Sequence, residues 1–517
     1  MNIKGNSVIK YQSIPSAWVV WGAIGAIAFF HFWICTLLSS GIALDLDTVN
    51  FVYSLDVFDI RKLAPQPPGY LPYVLLLRTV RALTGLDSMN TVLFVSRFFS
   101  SATVVVVPMI VNMLLPNRHG LVVFSALLCA LHPFFIFHGV DGQTHASEGF
   151  FAALFLFNVI RPVAGMEKSR TIRIGVLLAI GVAMRPSFLL VGIGPVLWFY
   201  RQQRIKWLII ALIVTVAGLF WIVPTILMSG GVGEWWLAHK AFMLDGFVNA
   251  EGIFSQTAWR VLLWLTLLVA PALPVIIHYR QSPNSLRQFL FAAAVPTVIF
   301  LLSTYVSEPG YFQGLVPIVI TLNVAMIARA DRNIFFGTLS VVIQIGILLL
   351  PAGGKLDFKT PSIPEIVQRE VMGEVLLKQI SDGLDPEQSA LYITDYPGSP
   401  IQRQLPLLRA NTDVLWIFST GAGDIRSMSY SNDRLLTPIP GPVLGLSGSP
   451  ATFNTHARYD IIVVDPFFTN ENRQRLAAFS KCEVPTATYP SKVAYLPAHC
   501  FPGGRIRFGK YSVMFDN

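Results

Sequence analysis

Several short polar segments interrupt the long apolar runs of this chain, and they contain the residues best suited to chemistry. Asp45 and Asp47 come directly after the first apolar stretch. The later segments contribute His138, Asp141, His145, Glu148, Arg185, Glu308 and Tyr311. A carboxylate or an imidazole can accept a proton, and an arginine can bind a phosphate through its forked donors. Together these residue types predict a polar pocket that combines a base with a phosphate-binding cation.

Asp45 and Asp47 are the candidate bases. They stand just beyond the apolar stretch Ala17–Leu38, at the predicted membrane boundary. A lone aspartate at a loop end is often merely solvated, but further polar groups converge here on the same predicted face. In an extended segment, the side chains of residues two apart point to the same side. The spacing therefore leaves Asp45 as an alternative to Asp47.

Arg97 and Arg185 are the candidate cations. Arg97 lies well inside the apolar run Thr91–Val111, and a charge at such a depth costs at least about 2.5 kcal/mol. We therefore expect it to face an internal cavity or a partner. Arg185 stands beside Pro186 in another apolar stretch. Each could bind a lipid phosphate, or could be a snorkelling or internally paired arginine.

A metal site is a competing interpretation for His138 and His145 with Asp141 and Glu148. Their spacing is loose and matches no metal-binding signature. We therefore favour ordinary polar roles over a divalent metal, and the sequence predicts no cofactor.

Membrane helices must position these residues. The 517 residues are 53% hydrophobic and only 13% charged, with a mean hydropathy of +0.58, whereas soluble proteins carry roughly a quarter charged residues. Apolar runs long enough to span a membrane lie near 17–39, 90–115, 120–138, 146–161, 206–228, 257–278, 287–306, 311–329 and 333–351. The stretch 174–200, broken at Arg185-Pro186, reads as two short helices. This gives a polytopic α-helical protein of about eleven spans.

Basic residues predict the orientation. The net charge of +9 comes from 38 Lys and Arg against 29 Asp and Glu, and the basic residues lie in alternate short loops. This is the pattern of membrane orientation rather than of a nucleic-acid surface. We therefore predict a multi-pass protein of a bacterial inner membrane, with a cytoplasmic N-terminus and an extracytoplasmic C-terminus.

Residues 352–517 have ordinary composition and predict a separate extracytoplasmic (periplasmic) α/β domain that follows a membrane domain of residues 1–351. Strands are expected at 390–394 and 459–465, and a helix at 365–380. Cys482 and Cys500 lie in this part, where oxidation is permitted. They could form a disulfide or remain free thiols.

Several segments together resemble the GT-C glycosyltransferases, particularly the protein-mannosyltransferase-like and aminoarabinose-transferase-like branch. The resemblance covers about residues 1–330, and the order and spacing of its segments carry it. These segments are Asp47 followed by Tyr53, Gln66-Pro67-Pro68-Gly69-Tyr70, Arg97-Phe98-Phe99, Leu131-His132-Pro133 with Glu148, and Glu308-Pro309-Gly310-Tyr311 with Pro317.

The resemblance implies an enzyme that takes a sugar from a polyprenyl phosphate and transfers it to a hydroxyl of a glycan, lipid or protein at the extracytoplasmic face of the membrane. Asp47 would be the base, with Asp45 as its alternative, and Arg97 and Arg185 would bind the donor phosphate. A single displacement inverts the anomeric carbon. The pocket would be completed by Tyr53, Gln66, Tyr70, His138, Asp141, His145, Glu148, Glu308 and Tyr311. A lipid-linked-substrate transporter or flippase, or a non-catalytic envelope assembly protein, are the alternative functions.

Overall fold

A computed structural model of the chain describes residues 17–39, 41–43, 45–161, 167–247, 253–302, 309–352, 360–394, 405, 411–419, 425–431, 452–465, 470–485, 493–508 and 511–516. Within these ranges the chain is helical up to residue 348 and mixes helices with strands after it. The fold class predicted from the sequence, an α-helical membrane protein with a C-terminal α/β region, is thereby confirmed.

The first helices of the chain contain most of the polar segments. They are α1 Ala17–Leu37, α2 Leu46–Ser54, α3 Leu71–Thr84, α4 Ser88–Leu114, α5 His119–Ala130, α6 Pro133–Val140, α7 His145–Ile160 and α8 Glu167–Met184. The later helices are α9 Phe188–Tyr200, α10 Arg204–Met228, α11 Val232–Phe247, α12 Ile253–Val269, α13 Asn284–Leu302, α14 Val316–Ile327, α15 Asn333–Leu348, α16 Ile363–Asp382 and α17 Asn470–Ala477. Longer 3₁₀ segments cover Ala270–Gln281 and Pro309–Leu315.

Capping residues explain where the helices near the polar segments begin. Asp45 caps α2 by accepting the N–H of Asp47 at 2.8 Å. Asp87 caps α4 by accepting the N–H of Asn90 at 2.8 Å. His132 caps α6, and a proline follows at the first helical position, where a missing N–H costs nothing. Local sequence therefore sets these helix starts.

Six helical stretches within the described residues are long and apolar enough to cross a membrane, or seven if a bent pair counts as one span. The bent pair is α5 with α6, which meet at 50°. Shorter apolar helices, among them α7, α9 and α15, accompany them. The predicted number of about eleven spans is therefore not confirmed, because several apolar runs form helices shorter than a bilayer requires.

Exposed apolar side chains lie along α10, where Ile205, Leu212 and Phe220 are 75%, 63% and 78% exposed. An apolar surface of this size is rare in a water-soluble monomer and suits contact with lipid. By contrast, α14 is buried along its whole length, so it forms the centre of the helical part.

Two sheets form the C-terminal α/β region. Their strands are β1 Ala390–Thr394, β2 Thr412–Ser419, β3 Ile425–Ser431, β4 Thr452–Arg458, β5 Ile461–Val464, β6 Ala494–Pro497, β7 Arg505–Phe508 and β8 Tyr511–Asp516. The larger sheet has the order β3-β2-β1-β5-β6, and the smaller one has the order β4-β8-β7. β1 is parallel to both β2 and β5, with Ala390 opposite Thr412 and Ile461. The predicted strands at 390–394 and 459–465 and the predicted helix at 365–380 are all present.

A disulfide joins Cys482 to Cys500, with the two Cα atoms 5.3 Å apart. The sequence left this pairing open. Cys35 and Cys129 are free and buried.

Candidate active site

The segment that contains Asp45, Asp47 and Thr48 is hydrogen-bonded to the turn between α6 and α7. Asp45 and Asp47 are both half-buried, and they occupy the cap and first turn of α2 rather than an extended strand. The extended segment on which their equivalence was based is therefore wrong, because Asp45 caps a helix by accepting the N–H of Asp47. Thr48 comes next and donates its hydroxyl to the carbonyl oxygen of Asp141. The two candidate bases thus stand beside the second polar segment.

The α6–α7 corner holds a buried histidine–aspartate pair. Nδ1 of His138 lies 2.6 Å from Oδ2 of Asp141, and the two side chains are 0% and 1% exposed. Oδ1 of Asp141 accepts the N–H of Gln143 at 3.0 Å. The His138 ring also stacks near that of His145, with 4.6 Å between centroids. The last turn of α6 and the first turn of α7 therefore share one buried polar cluster.

Arg185 links this cluster to the break between α8 and α9. Its Nε lies 2.7 Å from Oε2 of Glu148, with the side chains 7% and 2% exposed. Its Nη1 donates to the Thr144 hydroxyl at 2.6 Å, and its Nη2 lies 3.1 Å from Nε2 of His145. Ser187 adds a hydrogen bond to the same Glu148 oxygen at 3.1 Å. Arg185 is thus the centre of an internal network, the internally paired arginine that the sequence left as an alternative.

The segment Pro309–Leu315 closes one side of the cluster. A Cβ at Gly310 would lie 2.4 Å from the His145 ring, and one at Gly314 would lie 3.1 Å from Oε1 of Glu148. Only glycine therefore permits this approach of the backbone. Between them, Tyr311 places its ring 5.4 Å from the His145 ring and 5.5 Å from the Arg185 guanidinium. Glu308, predicted for the same pocket, lies outside the described residues.

Comparisons with known proteins address the fold. Neither a scan of protein-family models nor a search of curated proteins found a match. Among solved structures, ArnT from Cupriavidus metallidurans bound to undecaprenyl phosphate aligns with a TM-score of 0.54 and 12% identity, over 77% of this chain and 86% of that one. ArnT in the apo state aligns with a TM-score of 0.48 and 11% identity, over 78% and 93%.

The chain has the ArnT fold. The resemblance to GT-C glycosyltransferases that was drawn from short motifs is thereby confirmed as a likeness of fold, over most of both chains.

Within this ArnT-like fold, Arg97 lies apart from the Arg185 network. It is only 8% exposed, and its Nε has no hydrogen-bond partner among the described residues. The ionisable groups that act on its charge are Cys35 of α1 and Glu370 of α16. The sequence grouped Arg97 with Arg185 as one phosphate clamp, whereas their immediate surroundings differ.

The tyrosines and the glutamine of the first loop are largely buried. Tyr53 is 7% exposed and packs with Ala43 and Val49. Gln66 is 2% exposed, and its Oε1 has no partner within the described part of the chain. Tyr70 has a left-handed backbone at the start of α3 and meets the Phe51 ring edge-on at 5.5 Å. Tyr53 thus has an apolar setting, while Gln66 retains an unsatisfied polar atom.

Tyr73 and Gln313 belong to the same neighbourhood, and the sequence analysis missed both. Tyr73 is fully buried on α3, and burial raises the pKa of its phenol above the ordinary range. The charge of Asp141 raises it further, and that of Arg185 opposes the rise. Gln313 is also fully buried, and its side chain lies against Gly149 of α7. The signal available for Tyr73 was its position three residues after Tyr70 in the sequence.

A candidate metal-binding group within the described ranges lies elsewhere, at Cys482, His499 and Cys500. Both of its thiols are already joined in the disulfide, so this group lacks the thiolates that a metal would need. In the α6–α7 cluster, Nδ1 of His138 is hydrogen-bonded to Asp141, and Glu148 is ion-paired with Arg185.

Proposed function

We propose that this protein is a glycosyltransferase that moves a sugar from a polyprenyl phosphate to a hydroxyl acceptor on a glycan, a lipid or a protein. The observation that carries the proposal is the buried cluster of His138, Asp141, His145, Glu148 and Arg185 within an ArnT-like fold. Buried ionisable groups are costly and gather where a protein does chemistry. The ArnT structure with this fold is bound to undecaprenyl phosphate, which supports a polyprenyl-phosphate lipid as donor here.

The reaction would take place at the extracytoplasmic face of a bacterial inner membrane. In this arrangement residues 1–351 form the catalytic membrane domain, and residues 352–517 form a periplasmic domain. The lipid carrier would bring the sugar to that face, so the enzyme would not need a soluble nucleotide sugar there.

Asp47 is the proposed base that takes the proton from the acceptor hydroxyl. It stands half-buried beside Thr48, which is hydrogen-bonded to the α6–α7 corner. Asp45 is a weaker candidate for the base than Asp47, because its carboxylate caps α2. A single displacement with one base would invert the anomeric carbon.

The departing phosphate needs positive charge. Arg185 and Arg97 remain the proposed cations, although their surroundings differ. Arg185 already binds Glu148, Thr144 and His145, and it would contact the phosphate as part of that network. Arg97 is buried with an unpartnered Nε among the described residues, and the carboxylate that acts on its charge is that of Glu370. Preorganised donors of this kind stabilise the charge that develops as a bond to phosphate breaks.

A transfer assay with the purified full chain tests the proposal. The chain, reconstituted in lipid nanodiscs, is supplied with a panel of sugars on undecaprenyl phosphate and with extracted envelope glycans and lipids as acceptors. We expect release of undecaprenyl phosphate and a product of inverted anomeric configuration. Nanodiscs without the protein serve as the blank. If no donor yields more phosphate lipid with the wild type than with this blank, the proposal is wrong.

A further inference from the structure

The pair formed by His138 and Asp141 has no part in the mechanism described so far. The pair is 2.6 Å apart and almost wholly buried. Both carboxylate oxygens of Asp141 accept hydrogen bonds, one from the backbone N–H of Gln143 and one from Nδ1 of His138. A carboxylate that accepts on both oxygens is favoured in its ionised form. The imidazole therefore carries its proton on Nδ1 and presents Nε2 on its other side.

The backbone around the pair is held as firmly as the side chains. The hydroxyl of Ser96 on α4 donates to the carbonyl oxygen of His138 at 2.6 Å. Thr48 on α2 holds the carbonyl oxygen of Asp141 in the same way. Two separate elements thus fix the ends of the turn that carries the pair. A buried imidazole oriented by a carboxylate is the arrangement that many enzymes use to transfer a proton.

Nε2 of His138 has no hydrogen-bond partner among the described residues. The same is true of the Tyr73 hydroxyl and of both polar atoms of the Gln313 side chain. Buried polar atoms without partners are rare in native proteins. The charge of Asp141 acts on Tyr73. Gln313 lies against Gly149 of α7, one helical turn after His145 in the sequence. A polar substrate bound near the α6–α7 turn could form the hydrogen bonds that these atoms lack.

His145 is a poor candidate for the same proton. Its Nε2 faces Nη2 of Arg185 at 3.1 Å. An arginine can only donate, so Nε2 of His145 accepts there. Nδ1 of His138 instead faces a carboxylate oxygen of Asp141. The two adjacent rings therefore have partners of opposite charge.

We propose that His138, held by Asp141, is the general acid that protonates the departing phosphate. This inference rests on the proposed function. The acceptor oxygen bonds to the anomeric carbon as its proton passes to Asp47. The bond from that carbon to the phosphate oxygen breaks, and its electron pair stays on that oxygen. Nε2 of His138 gives its proton to the same oxygen. The products are polyprenyl hydrogen phosphate and a neutral imidazole that stays hydrogen-bonded to Asp141. Exchange with water then restores both groups.

Other ionisable groups lie on the elements around the α6–α7 turn. From α7 and the α8–α9 break come His145, Glu148 and Arg185. From α1 and α4, which also pack against α6, come His31, Cys35 and Arg97, and Tyr73 and Tyr311 come from α3 and the Pro309–Leu315 segment. Both nitrogens of His31 are engaged, with Ala130 and Ser100. The Nδ1 atom of His138, by contrast, faces a carboxylate, that of Asp141.

The test compares His138→Gln with a matched control, His132→Asn. His132 is another buried histidine of α6 whose Nε2 has no partner in the described structure, and asparagine can keep its role as the helix cap. Transfer from an undecaprenyl-phosphate sugar is measured across pH. An acid must be protonated to act, so the wild-type kcat should fall towards alkaline pH. We expect His138→Gln to lower kcat about 10²-fold or more and to abolish this alkaline limb, while His132→Asn retains both.

Asp141→Asn is the second variant, and it decides the matter if His138→Gln does not fold. Asparagine keeps the acceptor for the Gln143 N–H but removes the negative charge beside Nδ1 of His138, so kcat should decrease and the pH profile should change. Variants with near-wild-type kcat and an unchanged alkaline limb would overturn the assignment of His138. If the wild type itself transfers no sugar, the proposed function fails, which is a different result.

Discussion

The ion pair between Glu148 and Arg185 should dominate the stability of the proposed active site. Its atoms are 2.7 Å apart and its side chains are 7% and 2% exposed. Replacing Glu148 by Gln preserves size but leaves the Arg185 charge buried without its counter-charge. Removing one partner of a buried pair costs about 3–5 kcal/mol. Glutamine keeps one acceptor oxygen for the guanidinium, so we expect a loss near the lower end, about 3 kcal/mol.

An exposed pair in the same helical part provides the control. Arg81 and Asp56 are 2.8 Å apart, nearly the same distance, but their side chains are 32% and 63% exposed. A pair of this kind contributes about 0–1 kcal/mol. Asp56→Asn should therefore change the free energy of unfolding by less than about 1 kcal/mol.

The measurement is denaturant unfolding of the full chain in detergent micelles, followed by tryptophan fluorescence, for the wild type and the two variants. Because the two pairs differ mainly in burial, the difference between the variants isolates its effect. If Glu148→Gln unfolds at the same denaturant concentration as Asp56→Asn, then Arg185 finds other compensation and the reasoning from burial is refuted.

Three further predictions concern the reaction, the topology and the soluble region. Asp47→Asn should lower transfer about 10²–10⁴-fold in the nanodisc assay, whereas Asp45→Asn, which keeps a good helix cap, should retain most activity; the reverse pattern would assign the base to Asp45. A reporter that is active only in the cytoplasm, fused after Asn517, should be silent, and clear activity would contradict the predicted orientation. Replacing both Cys482 and Cys500 by Ser should destabilise the C-terminal region by about 3 kcal/mol, measured as its resistance to protease with and without the bond; equal resistance would show that the bond adds nothing.

Local sequence determined the class of this protein and many of its element boundaries. Hydropathy identifies an apolar helix because burial in lipid depends on the composition of about twenty consecutive residues. The break at Arg185-Pro186 was also predictable, because proline cannot donate within a helix. Strands such as Ala390–Thr394 were recognised for the same kind of reason, since a continuous apolar run buries both of its faces.

Local sequence was less reliable where a short polar element met several others. Asp45 and Asp47 look like an extended loop in the sequence, but a side-chain cap converts that loop into α2. The predicted number of spans was not confirmed, since an apolar run does not by itself determine whether its helix is long enough to cross the bilayer or bends, as α5 and α6 do.

Only the tertiary structure decided which polar residues share a site. His138 and Asp141 are close in sequence, but Arg185 reaches Glu148 and His145 only because α7 packs against the α8–α9 break. Tyr73 and Gln313 gave no strong signal, because their significance lies in unsatisfied atoms that depend on neighbours distant in sequence. Arg97 and Arg185 looked equivalent as single charges in apolar runs. Packing of the elements placed Arg185 against Glu148 and placed Arg97 among other groups, and no local pattern encodes that packing.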